Sequence, residues 1–171
     1  MSLPSLPVKQ QAENKLLWND ARSLADANFF TLGYTGRTIP QIIDTLLENG
    51  VRTLVDIRQN AISMYRPELS KSNLAKLLES HGLNYLHLPQ LGVPRDIRAK
   101  AIESGTREVI WDWYDEHVIG DFFGTGRNLH FFLNCVEHPV ALMCTEIDPQ
   151  ECHRHRLSLA LERMGMSGFD L

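Results

Sequence analysis

The stretch NFFTLGYTGRTIPQIIDTLLENGVRTLVDIR, residues 28–58, decides the fold of this chain. Its first part is an apolar and aromatic run that ends at glycines, which is typical of a buried strand. Its middle part predicts a helix with a capping box at Thr38 and Gln41, Pro40 in the first turn and a stop at Gly50. The expected apolar face of this helix consists of Ile42, Ile43, Leu46 and Leu47. The last part is rich in β-branched residues and predicts a second strand, so the stretch indicates a βαβ unit.

The same pattern continues along the rest of the chain. A helix end, a glycine and a strand recur in LLESHGLNYLHL, residues 77–88. Residues 93–138 have a helical pattern, with two helices separated by the glycine-rich GDFFGTG, residues 120–126. A near-continuous apolar strand, PVALMCTE, follows, and then a helix that we expect to begin at Pro149 with Asp148 as its N-cap. We therefore predict a Rossmann-like three-layer αβα sandwich around a mainly parallel sheet of four strands, or of five if the terminal FDL also pairs.

Composition limits the class of protein. The 171 residues suit one α/β domain, residues 29–171, preceded by an N-terminal arm or helix over residues 1–28. Seventeen basic and 21 acidic residues give a net charge of −4, which argues against broad coating of nucleic acid but permits a local basic pocket. Three cysteines make a disulfide framework unlikely, so we expect a cytoplasmic protein. We expect neither a signal peptide nor a membrane segment.

Polar and reactive residues follow the strands of the predicted sheet. In an open α/β sheet, ligands bind beyond the carboxyl ends of the strands. The strand ends supply Gly33, Thr35, Gly36, Arg37, Asp56, Arg58, Gly92, Cys144 and Glu146. The glycines and arginines are the residue types that hold an anion at a helix N-terminus. Asp56 is costly to bury without a partner, so it is either a catalytic carboxylate or one half of an Asp–Arg pair.

The segment CTEIDPQECHR, residues 144–154, concentrates the reactive side chains. Stepping back four residues from the apolar Leu157 places His153 on the inner face of the last helix, near Cys144, Cys152 and Glu146. We expect His153 to hydrogen-bond to the carboxylate, ready for proton transfer. The spacing matches no compact zinc motif, so we expect no metal and no disulfide here. A reactive thiol and a merely buried cysteine remain the two interpretations of Cys144 and Cys152.

Three blocks of the sequence resemble the Domain of Unknown Function 488 family. The blocks are TLGYTGRTIPQIIDTLLENGVRTLVDIR, YLHLPQLGVPRDIR and ALMCTEIDPQECHR, and C-x-E followed by C-H-R is their most specific part. The resemblance implies an α/β domain whose shared polar residues gather at one site. Carried over by position, these are Gly33, Thr35, Arg37, Asp56, Arg58, Gly92, Cys144, Glu146, Cys152, His153 and Arg154. The resemblance supplies no reaction.

These observations favour an enzyme, of hydrolase or transferase type, that acts on a small anionic or phosphorylated compound such as a nucleotide or nucleic-acid component. The predicted catalytic residues are Asp56, Cys144, Glu146 and His153. The predicted ligand-binding residues are Gly33, Thr35, Gly36, Arg37, Arg58, Gly92, Cys152 and Arg154. We expect no cofactor, because the first turn lacks a complete dinucleotide fingerprint and a phosphate-loop lysine. The alternatives are a non-catalytic nucleotide or nucleic-acid binding module, with aromatic residues as a stacking surface, and a structural or partner-binding domain.

Overall fold

The computed structural model describes residue 3 and residues 6–124 and 126–171, with Val8 described by its backbone alone. Within these residues, five parallel strands form one sheet in the order β3-β2-β4-β1-β5. The strands are β1 (Phe29–Gly33), β2 (Thr53–Asp56), β3 (Asn84–His87), β4 (Val140–Cys144) and β5 (Gly168–Asp170). The helices are α1 (Val8–Asn19), α2 (Ile39–Glu48), α3 (Lys71–Ser80), α4 (Arg95–Ser104), α5 (Glu108–Tyr114), α6 (Gly120–Gly124), α7 (Arg127–Asn134) and α8 (His153–Arg163). The predicted αβα fold is confirmed, with FDL contributing to the fifth strand.

The βαβ unit of residues 28–58 forms as its sequence predicts. Thr38 Oγ1 accepts a hydrogen bond from the Gln41 amide at 3.3 Å, and Gln41 Oε1 accepts from the Thr38 amide at 2.8 Å, so the capping box is present. Helix α2 stops before Gly50, whose φ of 67° is in the left-handed region that favours glycine. The buried face is narrower than expected, because Leu47 is 46% exposed at the edge of the helix.

The sheet has a separate apolar core on each of its faces. Side chains of successive strand residues point to opposite faces, so Phe29 and Phe30 belong to different cores. Helices α2 and α3 cover one face, packing Ile42, Leu46 and Leu74 against it. Helices α4 to α8 cover the other face. Both faces of a parallel sheet are thus removed from water, and ligand access is left to the strand ends.

Strand β4 lies between the first two strands of the chain. Its residue Cys144 pairs with Gly33 of β1, and its residue Met143 pairs with Asp56 of β2. The chain therefore reverses its direction of winding here, which leaves a crevice beyond the carboxyl ends of these three strands. This topology positions the site, because the residues that follow β1, β2 and β4 become spatial neighbours.

The first part of the glycine-rich stretch GDFFGTG is helical, so the break between the two predicted helices falls at its end, after Gly124 and before Arg127. The chain continues from α5 through a π-helical turn, Asp115–Ile119, directly into α6. The physical reason is the burial of Phe122, whose ring packs edge-on against Phe132 at 6.0 Å between centroids. Burial of an aromatic side chain outweighs the helix-breaking cost of a single glycine, which is about 1 kcal/mol.

The last helix begins later than predicted. Residues Pro149–Glu151 form a 3₁₀ turn, and Asp148 caps that turn by accepting a hydrogen bond from the Gln150 amide at 2.9 Å. Cys152 is extended and serves as the N-cap of α8, where its Sγ accepts from the Arg154 amide at 3.5 Å. Glu151 forms no capping box. Its carboxylate pairs instead with Arg107 Nε at 2.9 Å.

Helix α1 packs against the C-terminal part of the chain. Trp18 is buried, Asn14 donates to Asp148 Oδ2 at 3.1 Å, and Lys15 pairs with Asp170 at 3.4 Å. The N-terminal stretch therefore contributes a docked helix to the described structure. None of the helices in the described ranges combines the length and the apolar content that crossing a bilayer requires.

Candidate functional site at the carboxyl ends of the strands

Two thiols and one imidazole meet beneath the crevice. Cys144 Sγ lies 3.8 Å from His153 Nδ1, and Cys152 Sγ lies 3.9 Å from the same nitrogen. All three side chains are buried, and their ligand atoms lie within 4.8 Å of one another. We call these three residues the thiol–histidine cluster. The sequence placed the three residues at neighbouring positions, and the structure brings their reactive atoms into direct contact.

Local structure explains how each member of the cluster is held. Cys144 is the last residue of β4, Cys152 is the N-cap of α8, and His153 is the first residue of that helix. The Tyr114 ring packs on the His153 ring with 5.2 Å between centroids, and the buried Tyr114 hydroxyl donates to Leu91 O at 2.8 Å. The cluster is therefore fixed by a strand end, a helix start and an anchored aromatic ring.

His153 does not make the hydrogen bond that the sequence suggested. Its Nε2 lies 3.2 Å from the carbonyl oxygen of Ile57, and the described contacts include no hydrogen bond between His153 and Glu146. Glu146 instead lies next to the sulfur of Cys144, with 3.7 Å between Sγ and Oε2. The carboxylate and the imidazole thus flank the same thiol.

The charges of these groups depend on one another. Burial alone raises the pKa of the Glu146 carboxyl, but nearby His153 and a backbone N–H outweigh it and leave that pKa below its ordinary value. Burial alone lowers the pKa of His153, but Cys152 and Glu146 raise it above its ordinary value. Burial raises the pKa of the Cys152 thiol well above its usual range. Glu146 and His153 thus each stabilise the charged form of the other, and a carboxyl and an imidazole can exchange protons with a bound molecule.

A cavity of about 410 Å³ lies next to Glu146 and the thiol–histidine cluster. Glu146 and His153 line it, together with Thr35, Arg107 and Trp111. Cys144 lies behind Glu146 and does not line the cavity. A volume of this size fits a small organic molecule and is typical of ligand sites.

A second cavity of about 330 Å³ adjoins the first. Its lining includes three arginines, Arg58, Arg95 and Arg98, and the polar side chains of Gln59, Asn60, Ser63 and Tyr34. Val93, Arg98 and Thr145 line both cavities. The crevice thus has one compartment with a carboxylate and an imidazole, which we call the reactive cavity, and one with several guanidinium groups, which we call the cationic cavity.

Asp56 lies beneath the cationic cavity and contacts Arg58, one of the arginines that line it. It is fully buried and accepts hydrogen bonds from Arg58 Nε at 2.9 Å, Arg58 Nη2 at 2.7 Å and the Tyr85 hydroxyl at 2.5 Å. Of the two interpretations of Asp56, this geometry corresponds to the Asp–Arg pair. Asp56 lines neither cavity and orients Arg58, which does line one.

Gly33 and Gly92 approach protein backbone, whereas the sequence suggested that they approach a ligand. A Cβ atom on Gly33 would lie 1.8 Å from the carbonyl oxygen of Glu146, and one on Gly92 would lie 2.3 Å from the amide nitrogen of Gln59. Real Cβ atoms do not approach backbone so closely. Both glycines therefore set the position of a residue that lines a cavity.

Arg37 and Arg154, two of the predicted anion-binding arginines, lie outside the cationic cavity, although Tyr34 of the first turn lines it. Arg37 Nη2 donates to Leu171 O at 2.6 Å, and Arg154 is fully buried against Asp170 with Nη2 to Oδ1 at 3.2 Å. Arg154 also donates to the carbonyl oxygens of Glu146 and Ile147. Arg37 and Asp56 therefore do not join Glu146 and His153 in the one site that the sequence suggested, because Leu171 O engages Arg37 and Arg58 engages Asp56. Gly36, with φ of 78°, forms the turn beside them.

Several cavity residues are not evident from the sequence. Arg98 and Arg107 belong to the helical region and follow no strand directly, so their positions do not mark them as residues of a strand-end site. Trp111 packs against the core and also lines the reactive cavity. The available signal was the i, i+3 spacing of Arg95 and Arg98, which places both on one face of α4 just after the third strand block.

The chain matches a known protein family. No curated protein and no solved structure matches the chain significantly. A family model described as "Domain of unknown function DUF488" matches residues 38–161, which is most of the chain and includes α2, all of β2 to β4 and the thiol–histidine cluster. The chain therefore belongs to the family of the domain of unknown function DUF488.

Proposed function

We propose that this protein is an enzyme, of hydrolase or transferase type, that acts on a small phosphorylated or otherwise anionic compound. The observation that carries the proposal is the division of one crevice into a cationic cavity and a reactive cavity that share Val93, Arg98 and Thr145. A substrate whose anionic group lies against the arginines would present its neighbouring bonds to Glu146 and His153. Binding energy from the anion would then orient the part of the molecule that reacts.

The cationic cavity has the charge that an anion requires. Arg95 and Arg98 are exposed, and neither side chain forms an ion pair within the ranges that the structure describes. Arg58 contributes a guanidinium whose orientation is fixed by Asp56. Planar guanidinium groups match the oxygens of phosphate and carboxylate in pairs of hydrogen bonds. The chain as a whole is acidic, so this positive charge is local and suits a small ligand better than a long polyanion.

The reactive cavity has the groups that proton transfer requires. Glu146 follows the strand end and faces the cavity, so its carboxylate can accept a proton from a water or hydroxyl nucleophile. Its backbone position is fixed from two sides, by Gly33 and by the guanidinium of Arg154. A carboxylate held in this way needs little reorganisation before it reacts, which is the arrangement that general base catalysis favours.

A second candidate function is recognition of a nucleotide or nucleic acid without catalysis. The loop beside the cationic cavity exposes Ile62 by 70%, Met64 by 88% and Tyr65 by 99%. Exposed aromatic side chains next to arginines can stack on bases. This candidate would use the same arginines but would not need Glu146, so the two functions differ in what loss of the carboxylate does.

Calorimetry tests the anion-binding step. Phosphate and a set of nucleoside monophosphates are titrated into the wild-type protein, Arg98→Ala and Lys100→Ala, a matched control that removes an exposed charge from the same helix. A hydrogen bond to a charged group contributes roughly 1.5–3 kcal/mol, so we expect Arg98→Ala to weaken binding roughly ten- to a hundredfold. Equal loss in both variants, or no binding by the wild type, would contradict the proposal.

Turnover separates the enzyme from the binding module. Phosphorylated compounds that bind are incubated with wild-type protein and with Glu146→Gln, and products are followed by phosphorus NMR. The enzyme proposal predicts a product with the wild type and strong loss of the rate in Glu146→Gln. Tight binding with no product from any bound compound would support recognition alone.

A further inference from the structure

We propose that Cys144, Cys152 and His153 form a binding site for a thiophilic divalent metal ion of the Zn²⁺ class. This proposal goes beyond the anion-binding function and does not depend on it. It replaces the expectation from sequence spacing that this segment holds no metal. The basis is the geometry of the thiol–histidine cluster, the hydrogen bond behind the imidazole and the opening of the cluster toward the reactive cavity.

The spacing between the donor atoms is close to that of a tetrahedral zinc site. Bond lengths of about 2.3 Å to sulfur and 2.0–2.1 Å to nitrogen place a sulfur and a nitrogen ligand about 3.5 Å apart. His153 Nδ1 lies 3.8 Å from Cys144 Sγ and 3.9 Å from Cys152 Sγ. Each contact therefore needs to shorten by only a few tenths of an ångström around an ion. The two sulfur–nitrogen distances are thus already close to those of a zinc site.

The second ring nitrogen of His153 has a carbonyl hydrogen-bond partner of the kind that metal-bound histidines use. Nε2 of His153 lies 3.2 Å from the carbonyl oxygen of Ile57, to which it can donate its proton. A histidine that ligates metal through one nitrogen usually donates the other N–H to a carbonyl or carboxylate, which fixes the tautomer. This hydrogen bond engages Nε2 and leaves Nδ1 as the nitrogen available to an ion, although Cys144 Sγ lies 3.8 Å from both ring nitrogens.

The chemistry of the three donors selects the class of metal. Two thiolates and a neutral imidazole suit zinc and exclude magnesium or calcium as preferred ions, which take oxygen ligands. Two thiolates also balance the charge of a divalent ion, which matters because Cys144 is 1% and Cys152 is 2% exposed. Closed zinc motifs with C-x-x-C spacing are absent, and here eight positions separate the cysteines. The sheet and the start of α8 bring them together.

The fourth coordination position faces the reactive cavity. Cys144 and Cys152 are buried and line neither cavity, whereas His153 lines the reactive cavity. Glu146 lies beside this opening, with Oε2 3.7 Å from Cys144 Sγ. Catalytic zinc sites keep three protein ligands and one open position, and structural sites fill all four. We therefore place a water or a substrate atom on the fourth position, next to the Glu146 carboxylate.

Metal content and cobalt substitution test the proposal directly. Reduced wild-type protein is stripped with a chelator, loaded with Zn²⁺ or Co²⁺ and desalted. We expect one equivalent of zinc and, with cobalt, the near-ultraviolet thiolate-to-metal absorption of a tetrahedral sulfur site. Cys144→Ser and Cys152→Ser should lose both signals, while Cys135→Ser, which removes the exposed thiol, should keep them. Glu146→Gln should also keep the metal; loss there would overturn the open fourth position.

A second measurement covers variants that fail to fold. Zinc stabilises a protein that binds it only in the folded state, so it should raise the Tm of the wild type and of Cys135→Ser. No zinc uptake and no change of Tm in reduced, folded wild-type protein would overturn the proposal, as would a Cys144–Cys152 disulfide that persists under reductant. No phosphorylated compound is present in these experiments. Failure here leaves the anion-binding proposal intact, and failure of calorimetry with phosphate leaves this proposal intact.

Discussion

Arg58 is held by Asp56 through a two-pronged contact, with Nε donating at 2.9 Å and Nη2 at 2.7 Å, while the same arginine lines the cationic cavity. A residue at the end of one strand thus orients a cavity arginine two positions later. Arg58 Nη2 also donates to Leu69 O at 2.8 Å, and Tyr34 lies over its guanidinium at 5.3 Å. The Asp56–Arg58 pair therefore both stabilises the end of β2 and orients one of the positive charges of the cationic cavity.

Removal of Asp56 is expected to destabilise the protein strongly. Loss of one partner of a buried ion pair leaves the other charge uncompensated, which costs about 3–5 kcal/mol. Asp56→Ala should therefore lower the free energy of unfolding by about that amount, measured by urea denaturation. Tyr85→Phe removes only one hydrogen bond to the same carboxylate and should cost less, roughly 1.5–3 kcal/mol. A change below about 1 kcal/mol in Asp56→Ala would show that the pair does not hold this strand end.

Gly33→Ala is expected to move the backbone that carries Glu146. The added Cβ would meet the Glu146 carbonyl at 1.8 Å, so the chain must shift, at a cost of about 1–3 kcal/mol or more. Gly124→Ala is the control, because nothing lies within 4 Å of its Cβ position and alanine favours a helix. Thermal denaturation should show a lower Tm for Gly33→Ala alone. Equal Tm values for the two variants would contradict the close approach.

Arg37 and Arg98 should differ in their effect on anion binding. Arg37 is engaged with the carbonyl of Leu171 and lines neither cavity, whereas Arg98 lines both. Calorimetry should give the wild-type Kd for phosphate in Arg37→Ala and a much weaker one in Arg98→Ala. The reverse order would return the anion to the first turn after β1, where the sequence alone placed it.

The three thiols should react at very different rates. Cys135 is exposed, while Cys144 and Cys152 are buried. A small alkylating reagent should modify one thiol rapidly in the native reduced protein and all three in denaturant, with the products read by mass spectrometry. Prior loading with zinc should slow the two buried thiols further, because bound thiolates are withheld from the reagent. Fast modification of three thiols in the native protein would show that the cluster is open to solvent.

Most of the fold could be predicted from the sequence, because its signals are local. The capping box at Thr38, the glycine stop at Gly50 and the apolar strands each depend on nearby residues. Burial of Phe122 is a tertiary effect, and it accompanies the extension of a helix as far as Gly124, into a stretch whose glycines predict a break. The pairing of Glu151 with Arg107 likewise joins distant segments, and it accompanies the start of α8 at His153, with Cys152 as the N-cap, where the sequence predicts Pro149.

The candidate site was predictable in its residue types and less so in their roles. Strand ends converge in any parallel sheet, so Cys144, Glu146 and His153 could be expected to meet. The sequence could not show which arginines would form ion pairs inside the protein. Arg154 is neutralised by Asp170, which is 16 positions later and belongs to a short edge strand, and Arg58 is shared between Asp56 and the cavity. In the cationic cavity, the arginines without an ion-pair partner among the described residues are Arg95 and Arg98 of α4.

The most direct measurement is a crystal structure of the protein with a phosphorylated compound that calorimetry shows to bind. We predict that the phosphoryl group lies within hydrogen-bond distance of Arg95 or Arg98, with the rest of the molecule extending past Thr145, which lines both cavities, toward Glu146. A phosphoryl group bound at Arg37 and the start of α2, or on a surface away from both cavities, would contradict it.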